Sequence, residues 1–492
     1  MKYKIIGIIS CVLILILSIV VPMIQTEDKG RYHQHLQAET PSPCNHDDTT
    51  FCTHLPLVEI DTDGVAIPGA PYYDETLKKT QHTKTESGQS ELLCHIAVKD
   101  KEGINHHTGD IPDIESDAYI RIRGNSSRHF DKKGYLLNLV TPTGENNSQD
   151  IMGMDAHHEW ALHGPFLDKT LLRNYMWYNI AGEIMDYAPN VRFCEVILNN
   201  EYQGIYVFTE TICAGQDGSR LNLSVDKKDN SFTGYCLRLD RGSENEIKNI
   251  STFAKYTYRV WGVGMNIEYP GTQNLTPEIA EGIRQDFNAF EKTIYSFDYD
   301  SKTRGYEKTI DIDSFVNYFL INEFTCNYDA GSYSTYIYKD LDGLYRMCVW
   351  DFNNSCDNYQ ETKVNSEDFN SQNNIWYFML LKDKDFTRQC IKTYKSLRKS
   401  YLNENYLNNY IDETILYLGD AITRNYSKWG YIFEKQDGLL FPYDRDPSGF
   451  EDSVLQLKTF LTERGDWMDE NIEILNQFSA ESKTKLYNEH TE

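Results

Sequence analysis

The sequence predicts an α+β chain in two lobes, a sheet-rich N-terminal lobe over about residues 91–212 and a mainly helical one over about 213–475, with a cleft between them. Three observations carry this. Short apolar runs rich in Ile, Leu, Val and Tyr crowd residues 92–209. Asn199-Asn200-Glu201 separates two of those runs, as a hairpin turn does. Beyond residue 212 helices are expected to dominate, with apolar side chains at helical spacing in Asp311–Phe324.

Taken in order, Lys2 and Lys4 precede a run from Ile5 to Ile24 that is broken only by Gly7, Ser10, Cys11, Ser18 and Pro22. The run is long enough to span a bilayer, and the leading positive charges orient the body outward. No small-x-small cleavage site stands near residue 24, so 1–25 is expected to be an uncleaved signal anchor. Residues 26–90, rich in Thr, Pro, His, Asp and Gly with little periodicity, are expected to form an irregular extracytoplasmic stalk. Leu92–Val98, Tyr119–Arg123 and Tyr135–Val140 read as strands. Asp168 is expected to cap a helix that carries Leu172, Met176, Ile180 and Ile184 on one face and stops before Pro189. Val191–Leu198 and Tyr202–Thr209 form the hairpin, since Asn tolerates positive φ. Asp311–Phe324 follows as a helix with acidic residues at its start. Thr335–Lys339 and Leu344–Trp350 make a second hairpin around Asp340–Gly343, helices run from about Trp376 to Ile474, and 476–492 is a polar tail.

Charge narrows the partners. A formal net charge of −26 excludes a duplex-binding role built on clustered Lys and Arg, so no nucleic-acid partner is expected. Of eleven cysteines Cys11 lies in the anchor, which leaves an even set of ten in a compartment where disulfides persist; Cys44 and Cys52 are spaced to close a small loop. Without a Cys-x-x-Cys there is no zinc-ribbon pattern, and His157, His158 and His163 lack helical metal spacing.

Two motifs carry the chemistry. Tyr119-Ile-Arg-Ile-Arg-Gly-Asn-Ser-Ser127 is a strand that breaks into a polar turn with Arg121 and Arg123, where Gly124 and Asn125 allow close approach of an anion. Trp350-Asp351-Phe352-Asn353 is an apolar strand ending on hard oxygen ligands of the kind magnesium takes. Together they point to a nucleotide–metal site.

These motifs, with Lys132-Lys133, Trp160, Asp168–Asn174, Tyr202-Gln203-Gly204-Ile205-Tyr206 leading to Glu210, and Asn327-Tyr328-Asp329 with Ser334 and Tyr336, occur in an order that resembles the CotH (spore-coat protein H) kinase family over roughly residues 92–475. The resemblance implies an atypical protein-kinase-like fold and transfer of the ATP γ-phosphoryl group, with Mg or Mn, to Ser or Thr of an exported or coat protein. It implies Asp329 as the residue that orients the acceptor hydroxyl, and Asp351 with Asn353 as metal ligands. Arg123, Asn125, Lys133, Arg173 and Glu210 are implied on the nucleotide. Where the family often has a second acid this chain has Asn353, and it has no P-loop or protein-kinase Gly-rich loop. The alternative is a non-catalytic surface or coat binding protein, an adhesin or assembly factor, on the same fold; ATP supply outside a cell favours it.

Overall fold

Alternation of inward apolar and outward polar residues closes seven strands into a barrel. A computed structural model describes residues 30–44, 50–215, 220–253, 263–358, 363–434 and 445–480. The barrel strands are β1 (Leu57–Asp61), β2 (Leu92–Lys99), β3 (Ile114–Arg123), β4 (Gly134–Val140), β5 (Glu159–His163), β6 (Val191–Leu198) and β7 (Glu201–Glu210). Their order around the barrel is β5-β7-β6-β1-β2-β3-β4, closing between β4 and β5. All neighbours are antiparallel except β6 and β1. Val58, Ile96, Ile120, Leu137, Trp160, Val196 and Phe208 fill the interior. Closure leaves no open edge among these strands to pair with another chain.

β6 is apolar on both faces because it is covered on both. Cys194 and Val196 face the barrel core, while Val191 and Phe193 pack with helix α1 (Arg173–Ile184) in a second, larger core. The β6–β7 turn has the expected geometry, with Asn199 at φ 50° and Asn200 at φ 64°.

From residue 235 on, a five-stranded antiparallel sheet appears: β8 (Tyr235–Arg241), β9 (Asn249–Ile250), β10 (Val263–Tyr269), β11 (Thr335–Lys339) and β12 (Tyr345–Cys348), in the order β9-β10-β8-β11-β12. The helices of this part are α2 (Pro277–Tyr295), α3 (Ile312–Phe324), α4 (Lys384–Leu397), α5 (Glu404–Leu418), α6 (Asp420–Trp429), which packs on barrel strand β7, and α7 (Phe450–Asn471). The mixed α+β class is as expected, and α3 begins as anticipated, with Asp311 accepting from the Ser314 amide at 3.0 Å. Strands β8–β10 are the part that helical spacing hid.

The expectation of an irregular stalk over 26–90 is overturned for most of that stretch. β1 lies inside the barrel, paired to both β2 and β6, and Leu55, Leu57, Val58 and Ile60 are buried. Pro71–Asp74 and Lys79–His82 form a small hairpin. Upstream, Gln34 bridges the Phe193 backbone through both side-chain atoms, at 2.7 and 3.1 Å. The composition misled because this segment is ordered by pairing onto distant strands, which leaves no local period. The anchor at 1–25 lies outside the described residues; among the described residues no helix is long and apolar enough to cross a membrane. Seven cysteines (Cys94, Cys194, Cys236, Cys326, Cys348, Cys356, Cys390) are buried free thiols, so burial rather than bridging holds them.

One charged pair in the helical part is fully enclosed. Glu323 of α3 meets Arg464 of α7 at 2.5 Å and accepts the amides of Asn370 and Ser371, while Arg464 donates to the Ser366 carbonyl at 2.6 Å. Removing one partner strands the other charge in the core, a loss of about 3–5 kcal/mol. Arg464→Met should therefore lower the denaturant midpoint by a corresponding amount; an unchanged midpoint would show that the pair contributes nothing.

Candidate active site

Helix α1 holds the loop after β12 by its backbone. The Asp351 amide donates to the Tyr178 hydroxyl at 2.9 Å and the Phe352 amide to Asn174 Oδ1 at 2.8 Å. Arg173 donates Nε to the Ser355 carbonyl at 3.0 Å and Nη2 to that of Cys356 at 3.2 Å. Asp168 sits five residues before α1, accepts the Arg173 amide at 2.8 Å and forms a 2.6 Å ion pair with its guanidinium. The helix thus starts at Arg173 rather than beside Asp168, with Leu171 at φ 68° in the intervening turn. Arg173 is buried in this network, so its expected place on a nucleotide is corrected: it fixes the loop instead.

That loop presents Asp351 at φ 59°, a left-handed conformation in which the carboxylate folds back over its own chain. Its Oδ1 accepts from the Asn353 amide at 3.2 Å and from Asn353 Nδ2 at 2.8 Å. Asp329, five residues past α3, accepts from Asn354 Nδ2 at 3.1 Å through Oδ2. Asp240, near the end of β8, accepts on Oδ1 from the Arg241 amide at 2.7 Å and from Asn125 Nδ2 at 3.4 Å. Among the described residues each of the three acids has one oxygen engaged and a second that takes no hydrogen bond.

The three charges feel one another. Burial, then the negative charge of Asp351, pushes the Asp329 carboxyl up to about 6, against the Asn354 hydrogen bond and Arg241, with Asp240 adding to the rise. Burial also raises Asp351, opposed by its Asn353 hydrogen bonds and by Arg123 and reinforced by Asp240. Arg123 lies 5.2 Å over the Trp350 ring and donates Nη1 to the His163 ring, 3.1 Å from Nε2. Burial and that guanidinium hold His163 far below the usual imidazole range, so the ring is neutral and able to accept. The turn after Arg123 needs its glycine: Gly124 has φ 103°, and a Cβ there would lie 1.9 Å from Ser127 Oγ.

Arg123, Asn125, Asp329, Asp351 and Asn353 are therefore drawn together. Two others are not. Lys133 donates Nζ to the Arg128 carbonyl at 2.9 Å and braces the turn. Its neighbour Lys132 turns inward, donating to Asn425 Oδ1 of α6 at 2.7 Å with its ammonium 5.1 Å over the Tyr206 ring. Glu210 is buried, its Oε2 accepting the Asn190 amide at 2.8 Å, which corrects its placement on a nucleotide. Asp240, Arg241 and Asn354 were missed. Leu237-Arg238-Leu239-Asp240 is itself an apolar strand ending on an acid, the same signal that marked Asp351.

The donor set fits a hard divalent cation. It is carboxylate and amide oxygen throughout, with an unengaged oxygen on every acid. The oxygens of the three acids do not all lie within 4.8 Å of one another. Magnesium suits such a site, since it is held by one or two carboxylates with phosphate and water completing the shell. Asn353 has its Nδ2 on Asp351, which leaves Oδ1 as its ligand atom.

The sequence profile of a family described as CotH kinase protein matches residues 120–468. A curated relative, the inner spore coat protein H of Bacillus subtilis (strain 168), is 21% identical over 240 residues, which cover 48% of this chain and 58% of the relative. The chain thus spans just over half the length of that relative.

Charge coupling in the site is testable without any activity. Replacing Asp351 by Asn removes a nearby negative charge and favours ionised Asp329, so the Asp329 carboxyl should titrate below about 6, as followed by its carboxyl carbon resonance. An unmoved titration would show that burial alone raises it.

Proposed function

Because the chain belongs to the CotH kinase family, we propose that it is an atypical protein kinase that moves the γ-phosphoryl group of ATP to a Ser or Thr hydroxyl of an exported or coat protein. In this reading the barrel and the helical part are the two lobes of a kinase-like fold. The observation that carries it is the cluster of Asp240, Asp329 and Asp351, three acids with one unengaged oxygen each, facing Arg123 and the Gly124-Asn125 turn.

Placement supports a role for each residue in this reading. Asp351, with Asn353 Oδ1, would hold magnesium or manganese, which when bound supplies positive charge against the phosphate oxygens. Arg123 is a fixed guanidinium for a phosphate, its ring contacts limiting the rotamers it must lose on binding. Asn125 donates to Asp240 and keeps the turn facing the acids. Asp329, poised near 6, orients the acceptor hydroxyl and takes its proton. The name of the Bacillus subtilis relative supports a coat-associated substrate. The Ile5–Ile24 run supports membrane anchorage with the body outside the cytoplasm. Asn353 in place of a second acid supports the competing reading, a coat or surface protein that binds without catalysis.

Three outcomes are expected. Asp351→Ala should abolish transfer with little change in melting temperature, since its carboxylate is a minor part of the core; retained activity would remove it as metal ligand. Asp329→Asn should leave Mg-ATP affinity nearly normal while slowing transfer by about 10²–10⁴-fold, the usual worth of a positioned acid–base group. Absence of any ATP-dependent thermal shift of the unmodified protein with either metal would instead favour the binding protein. Finally, protonation below about 6 removes the proton acceptor at Asp329, so kcat/KM should fall as pH drops through that value; a flat profile over roughly pH 5 to 7 would exclude Asp329 as the base.

A further inference from the structure

We propose that Cys44, Cys52 and His107 form a zinc site that clasps the N-terminal segment to the barrel. The pairing of Cys52–Thr53 with His106–His107 sets Cys52 directly opposite His107 in a two-stranded sheet. Cys44 Sγ lies 3.6 Å from Cys52 Sγ and 3.6 Å from His107 Nε2, and all three ligand atoms fall within 4.8 Å of one another. Tetrahedral zinc, with bonds of about 2.3 Å to sulfur and about 2.0 Å to nitrogen, sets ligand edges of about 3.8 Å between sulfurs and about 3.5 Å between sulfur and nitrogen. The observed spacings therefore match a zinc ligand set before any metal is added.

A second observation points the same way. His107 has Nε2 turned to the sulfurs while Nδ1 lies 3.0 Å from Asp110 Oδ2. A carboxylate behind a ligating imidazole fixes its tautomer and strengthens it as a ligand. The same Asp110 oxygen accepts the His107 amide at 2.8 Å, so it is itself held in place. All three ligand residues are only partly buried, which lets solvent supply a fourth ligand. Binding takes both thiols to thiolates and releases their protons to solvent.

The position explains what the site is for. Residues 31–44 reach across the barrel, with Arg31 donating to Asn179 and the Ala188 carbonyl, and with the Ser42 amide on the Gly103 carbonyl at 3.1 Å. Zinc would close the far end of that strap onto the loop between β2 and β3.

The test uses the full chain, purified without reductant or chelator. Elemental analysis should give about one zinc per chain, and Cys44→Ser, Cys52→Ser and His107→Ala should each lose it. Cobalt substitution should produce thiolate charge-transfer absorption that the same variants lack. Should these variants fold poorly, Asp110→Asn keeps all three ligands and should weaken zinc by about 10–100-fold in chelator competition. A Cys44–Cys52 disulfide in peptide maps of never-reduced protein, zinc content that survives all three ligand variants, or no bound zinc in the unmodified chain would each overturn the proposal.

Discussion

The hold of α1 on the loop at 351–356 is the constraint on which the acidic site depends. Arg173, Asn174 and Tyr178 lie on that helix, and together they engage the backbone at Asp351, Phe352, Ser355 and Cys356. A non-glycine residue at positive φ costs on the order of 1–3 kcal/mol, and Asp351, Cys356 and Asp357 all adopt one. Hydrogen bonds net about 0.5–1.5 kcal/mol each, and those from Arg173 more because they are charged. Four such contacts offset the backbone strain. Since α1 also packs against β6, the loop takes its position from the barrel, although it belongs in sequence to the five-stranded sheet.

Electrostatics pulls the other way. Asp240, Asp329 and Asp351 come from β8, the segment after α3 and the loop after β12, and nothing in their packing requires three acids to face one another. Burial raises the carboxyl pKa values at Asp329 and Asp351, and their repulsion adds to the rise. Protein donors answer only part of it: Asn354, Asn353, Asn125 and Arg241 each take one oxygen, and Arg123 adds a distant positive charge. An arrangement that is unfavourable by itself and is relieved by a cation is what a binding site for a metal-complexed polyanion needs.

Sequence reasoning succeeded where the signal was local. The Asn199-Asn200 turn, the Asp311 cap and the strand end at Arg123 each rest on a few adjacent residues, and each was legible; the strand expected to run to Trp350 stops at Cys348. It failed where a residue's role is set by a distant partner. Arg173 was expected on a nucleotide, yet its acceptors are backbone carbonyls about 180 residues downstream. Lys132 and Lys133 are adjacent and both precede β4, and nothing local marks Lys132 as the buried one. Glu210 carried no mark of Asn190, whose backbone amide it accepts. Asp240 was missed although Leu237–Asp240 carries the same apolar-then-acid pattern as the run up to Asp351, because the chain between residue 212 and Asp311 was assigned to the mainly helical part and no strand was expected in it.

The same distinction accounts for the N-terminal segment. A polar, histidine-rich stretch with no period lacks the means to build a core of its own, and disorder is the natural expectation. Such a stretch can still be ordered if its side chains complete the backbone of something already folded. Gln34 does this at Phe193, pairing as a strand would but through its amide. His33 does it through Glu183 at 2.8 Å and the Tyr410 hydroxyl at 3.1 Å, joining α1 to α5. β1 then enters the barrel in parallel with β6, which places the start of the folded chain against the strand that backs α1. The segment that composition marks as irregular is thus packed against the support for the acidic loop, and loosening it should be felt at Asp351 through β6 and α1.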